Sequence, residues 1–464
     1  METQVLVIGA GPGGYVAAIK LGQLGKKALL VDRDALGGEC LNYGCIPSKA
    51  LIAAASVVHK ARKAAEIGVS GQLSVDMAKI QDWRAKLIGG FSRGIAQLSK
   101  GNGVDILMGA ARFTGPRSAE VTKADGTVEP VSFDSAIIAT GSRPISLPGF
   151  AFDGKRVLGN KEVLELREVP PRLFVVGAGV IGLEIGMYLA KLGSKVTVVE
   201  MTAQILPGLE ADLLAPVTRS LAKLGIEVLL GSKASAWSES GSGAAVSVST
   251  PSGERVVEAD RILVSVGRAP TTGGLGLEAA GVALSPRGFV QVDESYRTSV
   301  PHIYGIGDCT GSPFLAHKAS REGILAAKAA AGLHADPIGA IPSAIFTDPE
   351  IATVGLTEAA ARERGVETVT GRFPFMALGR AQASREADGF VKVVADKASG
   401  RILGAAFVGA GVSDLVSEAC LAIKLGATLE DVASTIHPHP TLPEAFMEAC
   451  EAALGSAIHV IARK

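Results

Sequence analysis

Cysteine, aromatic residues and net charge are all scarce in this sequence. Only five cysteines occur among 464 residues, which excludes a small secreted domain held together by disulfides. Lys and Arg together number 46, as do Asp and Glu, so bulk charge gives no reason to expect nucleic acid or an anionic membrane as a partner. Uninterrupted apolar runs of about 20 residues are missing, which argues against a membrane span.

The sequence begins with METQVLVIGAGPGG, in which glycine and proline interrupt the apolar run that a secretory signal would need. We therefore expect a soluble protein of the bacterial cytoplasm, or of the mitochondrial matrix if the chain is a processed form. The length suggests about three domains at roughly 150 residues each. The 57 glycines favour an α/β enzyme with many tight turns between strands and helices.

One pattern occurs twice along the chain. QVLVIGAGPGG (4–14) and LFVVGAGVIG (173–182) are short apolar strands that end in G-x-G-x-x-G, and each precedes a helical pattern, at 15–25 and 183–193. A second apolar strand follows each helix and ends in an acid, Asp32 or Glu200. The pattern is typical of dinucleotide-binding βαβ units, in which backbone N–H groups and a helix N-terminus face a pyrophosphate and the acid bonds a ribose hydroxyl. A purely structural glycine turn is the alternative to each motif, but the full βαβ spacing favours two dinucleotides, FAD and NAD. The glycines concerned are Gly9, Gly11, Gly14, Gly177, Gly179 and Gly182.

Three further segments fit a two-nucleotide layout. SAIIATGSRP (135–144) and RILVSVGRAPTT (261–272) are strands that end in small-residue turns, and Asp308 ends a third strand beside glycines. That acid could bond ribityl hydroxyls, or it could be a helix cap or turn aspartate. From about residue 342 the sequence predicts an antiparallel α+β domain, with strands within 389–409, a turn at 397–400, and helices at 413–425 and 443–454.

Two cysteines stand close together in GGECLNYGCIPSK (37–49). In a continuous α-helix, residues five apart have Cα atoms about 8.7 Å apart, whereas a disulfide needs less than about 7 Å. Cys40 and Cys45 can therefore bridge only if the backbone leaves helical geometry, for which Gly44 supplies the freedom. Buried reduced cysteines are the alternative, but a reducible disulfide near a flavin would be a two-electron relay.

Charged residues near these motifs have candidate roles. Lys49 could stabilise negative charge on a reduced flavin, although alone it would be an ordinary surface lysine. Glu184 falls in an apolar helical stretch and needs a partner, for which Lys49 is a candidate. In HPHPTLPE (437–444) we interpret His439 as a base oriented by Glu444. A metal site would need a third ligand, and none stands out; a capping or packing histidine is the other alternative.

GGECLNYGCIPSK resembles the redox-active disulfide of the class I flavin-dependent pyridine nucleotide-disulfide oxidoreductases. The resemblance covers the whole chain through GAGPGG, ATGS, GAGVIGLE, VGRAPTT, IGD, LAHKA, FTDPEIATVG and HPHPTLPE, in the family's order. Within the family, the sequence most strongly resembles the branch that oxidises dihydrolipoyl groups for 2-oxo-acid dehydrogenase complexes. It implies FAD, NAD⁺ as electron acceptor, no metal, and a homodimer in which the His439–Glu444 pair reaches the other subunit. It also implies, as partners, the lipoyl and peripheral-subunit-binding domains of the acyltransferases of those complexes.

The resemblance also implies roles for individual residues. Cys40 would be the thiol that attacks substrate, Cys45 the thiol beside the flavin, and Lys49 and Glu184 an ion pair at the flavin. Further flavin contacts would come from Gly38, Ala111, Thr140, Gly141, Ser142, Asp308, Phe314, Leu315, Ala316 and His317. Nicotinamide-cofactor contacts would come from Glu200, Ala234 and Gly267.

The fold class expected from these motifs is α/β, with two Rossmann-like dinucleotide-binding domains and a C-terminal α+β dimerisation domain. The predicted boundaries are 1–145 (first part of the FAD domain), 146–272 (NAD domain), 273–341 (second part of the FAD and central domain) and 342–464 (dimerisation domain).

Some positions depart from the family pattern. Glu39 stands where a small Thr or Val is usual, and we expect its charge to raise the pKa of the adjacent Cys40 thiol. Asp414 replaces a common Glu, and residues 159–161 lack the usual Ser-Thr pair. The alternatives are another disulfide reductase of the family or a scaffold subunit. The sequence after Glu200 has no arginine for a 2′-phosphate, which disfavours glutathione reductase, and the C-terminus lacks the cysteine pair of mercuric reductase.

Overall fold

The computed structural model describes residues 1–335 and 337–461 and divides into two compact units. The first unit comprises Met1–Val169 and Leu263–Ile338, and the second comprises Pro170–Ile262 and Gly339–Lys464. The predicted α/β class, with Rossmann-like sheets and a C-terminal α+β part, is confirmed. The four-part domain boundaries stay a prediction.

The first unit is built on one large sheet. Its parallel strands pair in the spatial order Val104–Met108, Ala28–Asp32, Glu2–Ile8, Val128–Ile138 and Ile303–Gly305. Ser118–Thr122 and Ala110–Gly115 extend the sheet as antiparallel strands from the first half of Val128–Ile138. The apolar residues of Glu2–Ile8 point alternately into two cores, Leu6 and Ile8 into one and Val5 and Val7 into the other. Burial on both faces explains the continuous apolar run VLVI within this strand.

Helices cover this sheet, and two of them meet through glycine. Pro12–Gln23 packs on Ala316–Ala330 so closely that a Cβ on Gly323 would lie 2.4 Å from the carbonyl oxygen of Gly13. The first of these helices begins three residues before the predicted start because Pro12, with its fixed φ, suits the first turn. The remaining helices of the unit are Gly38–Tyr43, Cys45–Lys63, Met77–Gly101, Asn160–Leu164 and Leu277–Ala280, with 3-10 turns at Ala64–Ile67 and Gly307–Thr310. Short strands lie at Ser142–Pro144, Val157–Leu158 and Arg268–Pro270.

One helical stretch, Gly38–Ile67, is long and apolar enough by length and composition to cross a membrane. It is not one continuous α-helix, because the backbone breaks at Gly44. Its longer helix buries one face in the first unit, through Pro47, Ala50, Leu51, Ala55 and Val58. One such stretch is weak evidence for a membrane span.

The second unit contains the second βαβ pattern. Parallel strands Arg172–Val176, Lys195–Val199 and Glu227–Leu229 pair in chain order, with helices Val180–Leu192 and Ala211–Lys223. An antiparallel sheet of Lys233–Ser240, Gly243–Thr250 and Gly253–Ala259 follows. Strand Arg261–Val264 spans the chain position at which the two units divide.

The C-terminal part of the second unit is an antiparallel sheet with helices, as the sequence predicts. Its strands pair in the order Ser343–Ile345, Glu350–Gly355, Ile402–Gly409, Phe390–Asp396 and Thr368–Pro374. Helices Val412–Leu425, Leu429–Ala433 and Glu444–Leu454 enclose a core that contains Phe373, Phe407 and Phe446. Shorter helices lie at Glu358–Glu363 and Gly379–Ala383, with a 3-10 turn at Phe375–Ala377. The predicted turn at 397–400 and both predicted C-terminal helices are confirmed.

Candidate redox site

The first glycine-rich turn forms an open cradle at the end of strand Glu2–Ile8. A Cβ on Gly14 would lie 1.7 Å from the carbonyl oxygen of Gly9, so no side chain fits there. A Cβ on Gly11, by contrast, would meet no atom within 4 Å, which leaves its backbone accessible to a ligand. The Oδ2 atom of Asp32 accepts a hydrogen bond of 2.6 Å from the N–H of Ala10 inside this turn. The turn therefore has the form that a pyrophosphate requires.

The cysteine segment starts directly against this cradle. Gly38 has φ +58°, and a Cβ there would lie 2.5 Å from the Cα of Gly11. The N–H of Gly37 donates to the carbonyl oxygen of Ala10 over 2.8 Å. The helix that carries Cys40 is thus anchored to the turn predicted to hold FAD.

Gly44 separates the two cysteines, as predicted. Cys40 lies in the helix Gly38–Tyr43 and Cys45 begins the helix Cys45–Lys63, while Gly44 between them has φ −138° and ψ −107°. This break brings the two side chains into hydrogen-bond contact. The structure contains both side chains as thiols, and the redox disulfide stays a prediction.

The environment of Cys40 differs in one respect from the expectation. The pKa of its thiol is raised, first by the hydrogen bond to Cys45 and then by burial, while Lys49 acts in the opposite direction. The sequence interpretation assigned this shift to Glu39, but the Glu39 carboxylate is paired with Arg268 at 2.5 Å. The attribution to Glu39 was therefore wrong. On the neighbouring helix, burial and then Cys40 raise the pKa of Tyr15.

Other predicted flavin contacts line the same unit. The Oγ of Ser142 donates to Asp308 Oδ2 over 2.5 Å, and the Oγ1 of Thr140 is buried without a hydrogen-bond partner of ordinary geometry in the described part of the chain. A buried hydroxyl left in this way fits a polar ligand. Gly141 lies between Thr140 and Ser142 in the chain and has φ +69°. Ala111 is buried on strand Ala110–Gly115, and the segment Phe314, Leu315, Ala316 and His317 leads into the helix Ala316–Ala330.

The second glycine-rich turn repeats the first within the second unit. Gly177 has φ +101°, and a Cβ on Gly179 would meet no atom within 4 Å. Glu200 Oε2 accepts from the N–H of Ala178 over 2.9 Å, as Asp32 does from Ala10. Of the other predicted nicotinamide contacts, Gly182 lies in the helix Val180–Leu192 and Ala234 is buried on Lys233–Ser240. Gly267 belongs to the first unit, with φ +129°.

Glu184 is buried in the helix Val180–Leu192 and accepts a hydrogen bond of 2.8 Å from the N–H of Phe346. Lys49 lies one turn into the helix Cys45–Lys63, in the other unit. Their pairing stays a prediction.

The predicted contact between His439 and Glu444 is formed. Nδ1 of His439 lies 2.8 Å from Glu444 Oε1, and the other carboxylate oxygen accepts from the N–H of Thr441 over 2.7 Å. Partial burial pushes the pKa of Glu444 upward, but the bonds from Thr441 and His439 outweigh it and the pKa is lowered. An ionised Glu444 keeps a proton on Nδ1, which leaves Nε2 of His439 as the proton acceptor.

His437 has a different environment, which the sequence interpretation missed. Its Nε2 lies 2.8 Å from Glu418 Oε1 and its Nδ1 lies 2.8 Å from the carbonyl oxygen of Thr435. The side chain is only 5% exposed, whereas that of His439 is 75% exposed. Both ring nitrogens of His437 are therefore engaged in holding the fold. No local signal links His437 to a glutamate 19 residues earlier.

Sequence comparison decides the family. The profile of the pyridine nucleotide-disulphide oxidoreductases matches residues 3–323, and that family's dimerisation domain matches residues 341–450. The chain belongs to the pyridine nucleotide-disulphide oxidoreductase family.

Full-length relatives agree with this placement. A protein from Haloferax volcanii named dihydrolipoyl dehydrogenase is 49% identical, covering 99% of this chain and 98% of its own. One of the same name from Geobacillus stearothermophilus is 45% identical, covering 100% and 98%. The crystal structure of LpdA from Mycobacterium tuberculosis is similar, with a TM-score of 0.90 at 30% identity over 97% of this chain and 99% of that one.

Members of this oxidoreductase family use FAD and NAD, which agrees with the two glycine-rich turns of the chain. The match to the dimerisation domain indicates a homodimer. Within residues 1–335 and 337–461, no group of three or more His, Cys, Asp or Glu side chains could hold a metal ion.

Proposed function

We propose that this chain is a dihydrolipoyl dehydrogenase that oxidises protein-bound dihydrolipoyl dithiols through Cys40 and Cys45 and delivers the electrons to NAD⁺. One observation carries the proposal. The two thiols are in hydrogen-bond contact across the break at Gly44, on a helix anchored through Gly38 to the first dinucleotide cradle. The full-length relatives named dihydrolipoyl dehydrogenase support the choice of substrate.

FAD fits the first cradle. The open backbone at Gly11, the Asp32 carboxylate and the buried Thr140 hydroxyl would hold its polar groups. NAD fits the second cradle, at Gly177, Gly179 and Glu200. Bound at these residues, FAD would supply two-electron acceptance from the reduced cysteine pair and hydride donation to NAD⁺.

The cysteines perform the thiol exchange. With the pair oxidised, one thiolate of the dihydrolipoyl group attacks the sulfur of Cys40, the Cys40–Cys45 bond breaks, and a mixed disulfide forms while Cys45 leaves as thiolate. The second dihydrolipoyl thiol, once deprotonated, attacks the lipoyl sulfur of the mixed disulfide, and Cys40 leaves as thiolate. This step releases the oxidised lipoyl ring and leaves both cysteines reduced.

His439 supplies the base for these steps. The attacking species must be a thiolate, so a proton has to be removed, and Nε2 is the ring nitrogen that Glu444 leaves available. The exposure of His439 in a single protomer and its position in the dimerisation-domain match favour a role at the cysteine pair of a second protomer. The catalytic unit would then be the homodimer.

The proposed partners are the lipoyl and peripheral-subunit-binding domains of 2-oxo-acid dehydrogenase acyltransferases, in a soluble intracellular compartment. Neither nucleic acid nor a membrane is part of the proposal.

A steady-state comparison tests the proposal. The purified FAD-loaded dimer should reduce NAD⁺ with dihydrolipoamide at a kcat/KM at least about a hundredfold above that with reduced glutathione, because a dithiol closes its own ring whereas two glutathione molecules must meet. Equal turnover with the two thiols would assign the chain to another reductase. Flavin absorbance that dihydrolipoamide cannot bleach under anaerobic conditions would leave only a scaffold role.

A further inference from the structure

Glu39 is an acid placed immediately before the thiol that is proposed to attack substrate. An unpaired carboxylate beside Cys40 would oppose thiolate formation, because two negative charges would then lie close together in a partly buried site. A group that compensates the charge of Glu39 is therefore expected nearby.

Two residues distant in sequence contact the Glu39 carboxylate. Arg268 Nη2 donates to Oε2 over 2.5 Å, and Asn160 Nδ2 donates to Oε1 over 3.0 Å. The arginine side chain is only 16% exposed and Asn160 is buried, so the contacts are partly shielded from water. The contact joins two places that are 121 residues apart in the chain.

Asn160 also holds the opposite end of the cysteine helix. Its Nδ2 donates to the carbonyl oxygen of Tyr43 over 2.7 Å, next to the break at Gly44. Helix Gly38–Tyr43 is therefore fixed at its second residue and at its last residue by side chains from elsewhere, with Cys40 between the two points.

Arg268 connects this helix to the predicted flavin contacts. Its Nε donates to Ser142 Oγ over 2.7 Å and its Nη2 to the Ser142 carbonyl oxygen over 2.9 Å. Ser142 Oγ in turn donates to Asp308 Oδ2. A guanidinium held at three points has little freedom to move away when the charge on a neighbouring group changes.

We propose that Arg268 and Glu39 are positioning residues for Cys40, in which Arg268 cancels the charge of Glu39 and the pair, with Asn160, holds the cysteine helix in place. The role rests on the proposed thiol chemistry. The pair is interdependent: either charge alone would perturb Cys40, in opposite directions, and the two together leave its reactivity to Cys45 and Lys49.

The other groups that face this region are accounted for. Cys45 and Lys49 act on Cys40 from the next helix, and Tyr15 faces it from Pro12–Gln23. Lys161 lies over the ring of Tyr43 at 4.2 Å, and Asp34 accepts from the Tyr43 hydroxyl. All of these remain unchanged in the test variants. Arg268→Gln also removes the bonds to Ser142, whereas Glu39→Gln leaves them in place.

Alkylation of Cys40 tests the proposal without lipoyl substrate or NAD. The wild-type dimer and each variant, all loaded with FAD, are reduced with dithionite and treated with iodoacetamide at a fixed pH. Mass spectrometry follows the rate at which Cys40 is modified. Glu39→Gln leaves the Arg268 charge unopposed and should raise the rate about threefold, because a pKa lower by about one unit gives about tenfold more thiolate of about threefold lower nucleophilicity. Arg268→Gln should lower the rate by about the same factor for the opposite reason.

The double variant Glu39→Gln with Arg268→Gln should return to within about twofold of the wild-type rate, because neither charge remains. Arg268→Lys keeps the charge and should also remain near the wild-type rate. Arg143→Gln is the matched control: Arg143 is exposed and adjacent to Ser142 on the same strand, with its side chain on the opposite face, and its removal should leave the rate unchanged.

Opposite signs for the two single variants distinguish charge cancellation from loss of a structural bond. Both variants break the same ion pair, so a purely structural role would change the rate in one direction for both, and that result overturns the proposal. If Arg268→Gln fails to fold, Glu39→Gln still decides: a slower or unchanged rate contradicts the inference. Turnover of dihydrolipoamide by the wild-type dimer, measured separately, shows whether the proposed function stands.

Discussion

Nδ1 of His439 lies 2.8 Å from Oε1 of Glu444, and the glutamate is held in turn by the N–H of Thr441. The carboxylate fixes the tautomer of the ring, so that Nε2 is the nitrogen available to take a proton from a thiol. His437, two residues earlier, has both nitrogens bonded within the fold. The two histidines of HPHP therefore have separate tasks.

His439→Ala should slow dihydrolipoamide oxidation by roughly 10²–10⁴-fold, the usual contribution of a general base. Oxidation of NADH by an artificial electron acceptor requires no thiol deprotonation and should persist in this variant. Both rates are measured on the same FAD-loaded preparation. Loss of both activities together would place His439 in folding or dimer assembly, and its assignment as the base would be withdrawn.

His437→Ala should act on stability rather than on chemistry. It leaves the Glu418 carboxylate and the Thr435 carbonyl without their bonds to a ring that is 5% exposed. We expect a loss of roughly 1–3 kcal/mol in the free energy of unfolding, with kcat for dihydrolipoamide within about tenfold of wild type. Urea unfolding and steady-state kinetics measure the two effects. A kcat as low as that of His439→Ala, in a variant of undiminished stability, would contradict this division of roles.

Glu444→Gln should make stability less dependent on pH in the acid range. The pKa of Glu444 is lowered in the folded chain, so its ionised form contributes stability that is fully present above the ordinary glutamate value of about 4.3 and is lost as pH falls through the folded-state value. The difference in unfolding free energy between wild type and Glu444→Gln should therefore shrink as pH falls from about 7 to about 3. Urea midpoints across this range provide the measurement. A difference that grows toward acid would mean that the folded-state pKa is raised instead.

Local sequence patterns were sufficient to predict the two βαβ units, the break at Gly44 and the His439–Glu444 pair. Each of these depends on residues within a short span, where glycine permissiveness, strand composition and helical spacing operate directly. The contacts of Glu39 could not be predicted from local patterns, because Asn160 and Arg268 lie 121 and 229 residues away in the chain and meet it only after folding. Without its partner, Glu39 could only be interpreted as an uncompensated charge, and the expected effect on Cys40 was wrong for that reason. The His437–Glu418 pair was missed for the same reason, because the two residues are 19 positions apart and no local pattern links them.

Cys45→Ser should abolish dithiol turnover while leaving FAD bound. The cofactor is predicted to be held by the cradle at Gly9, Gly11 and Gly14, whereas Cys45 serves electron transfer. The purified variant should be yellow, with a flavin-to-protein ratio equal to that of wild type. Cys420→Ser, in the C-terminal helix Val412–Leu425, is the matched control and should retain turnover. A colourless Cys45→Ser protein beside a normal control would show that the cysteine segment is structural.

Selectivity for NAD⁺ over NADP⁺ should depend on Glu200. Its Oε1 accepts from the N–H and the hydroxyl of Thr202, while Oε2 accepts from the N–H of Ala178. Because each carboxylate oxygen has two lone pairs, Oε2 retains one site for a ribose 2′-hydroxyl. A 2′-phosphate in the same place would meet the carboxylate charge. The expected preference in kcat/KM for NAD⁺ is on the order of a hundredfold or more.

Glu200→Gln removes the repulsion while keeping an acceptor for Ala178, so it should narrow the preference by about tenfold, mainly through better use of NADP⁺. Thr202→Val is the matched control, because it deletes a hydroxyl that bonds Glu200 without changing charge, and it should keep the wild-type ratio. The measurement is kcat/KM for both nucleotides at saturating dihydrolipoamide. Equal use of NAD⁺ and NADP⁺ by the wild-type enzyme, or an unchanged ratio in Glu200→Gln, would show that another group sets the selectivity and that Glu200 serves only to close the glycine-rich turn.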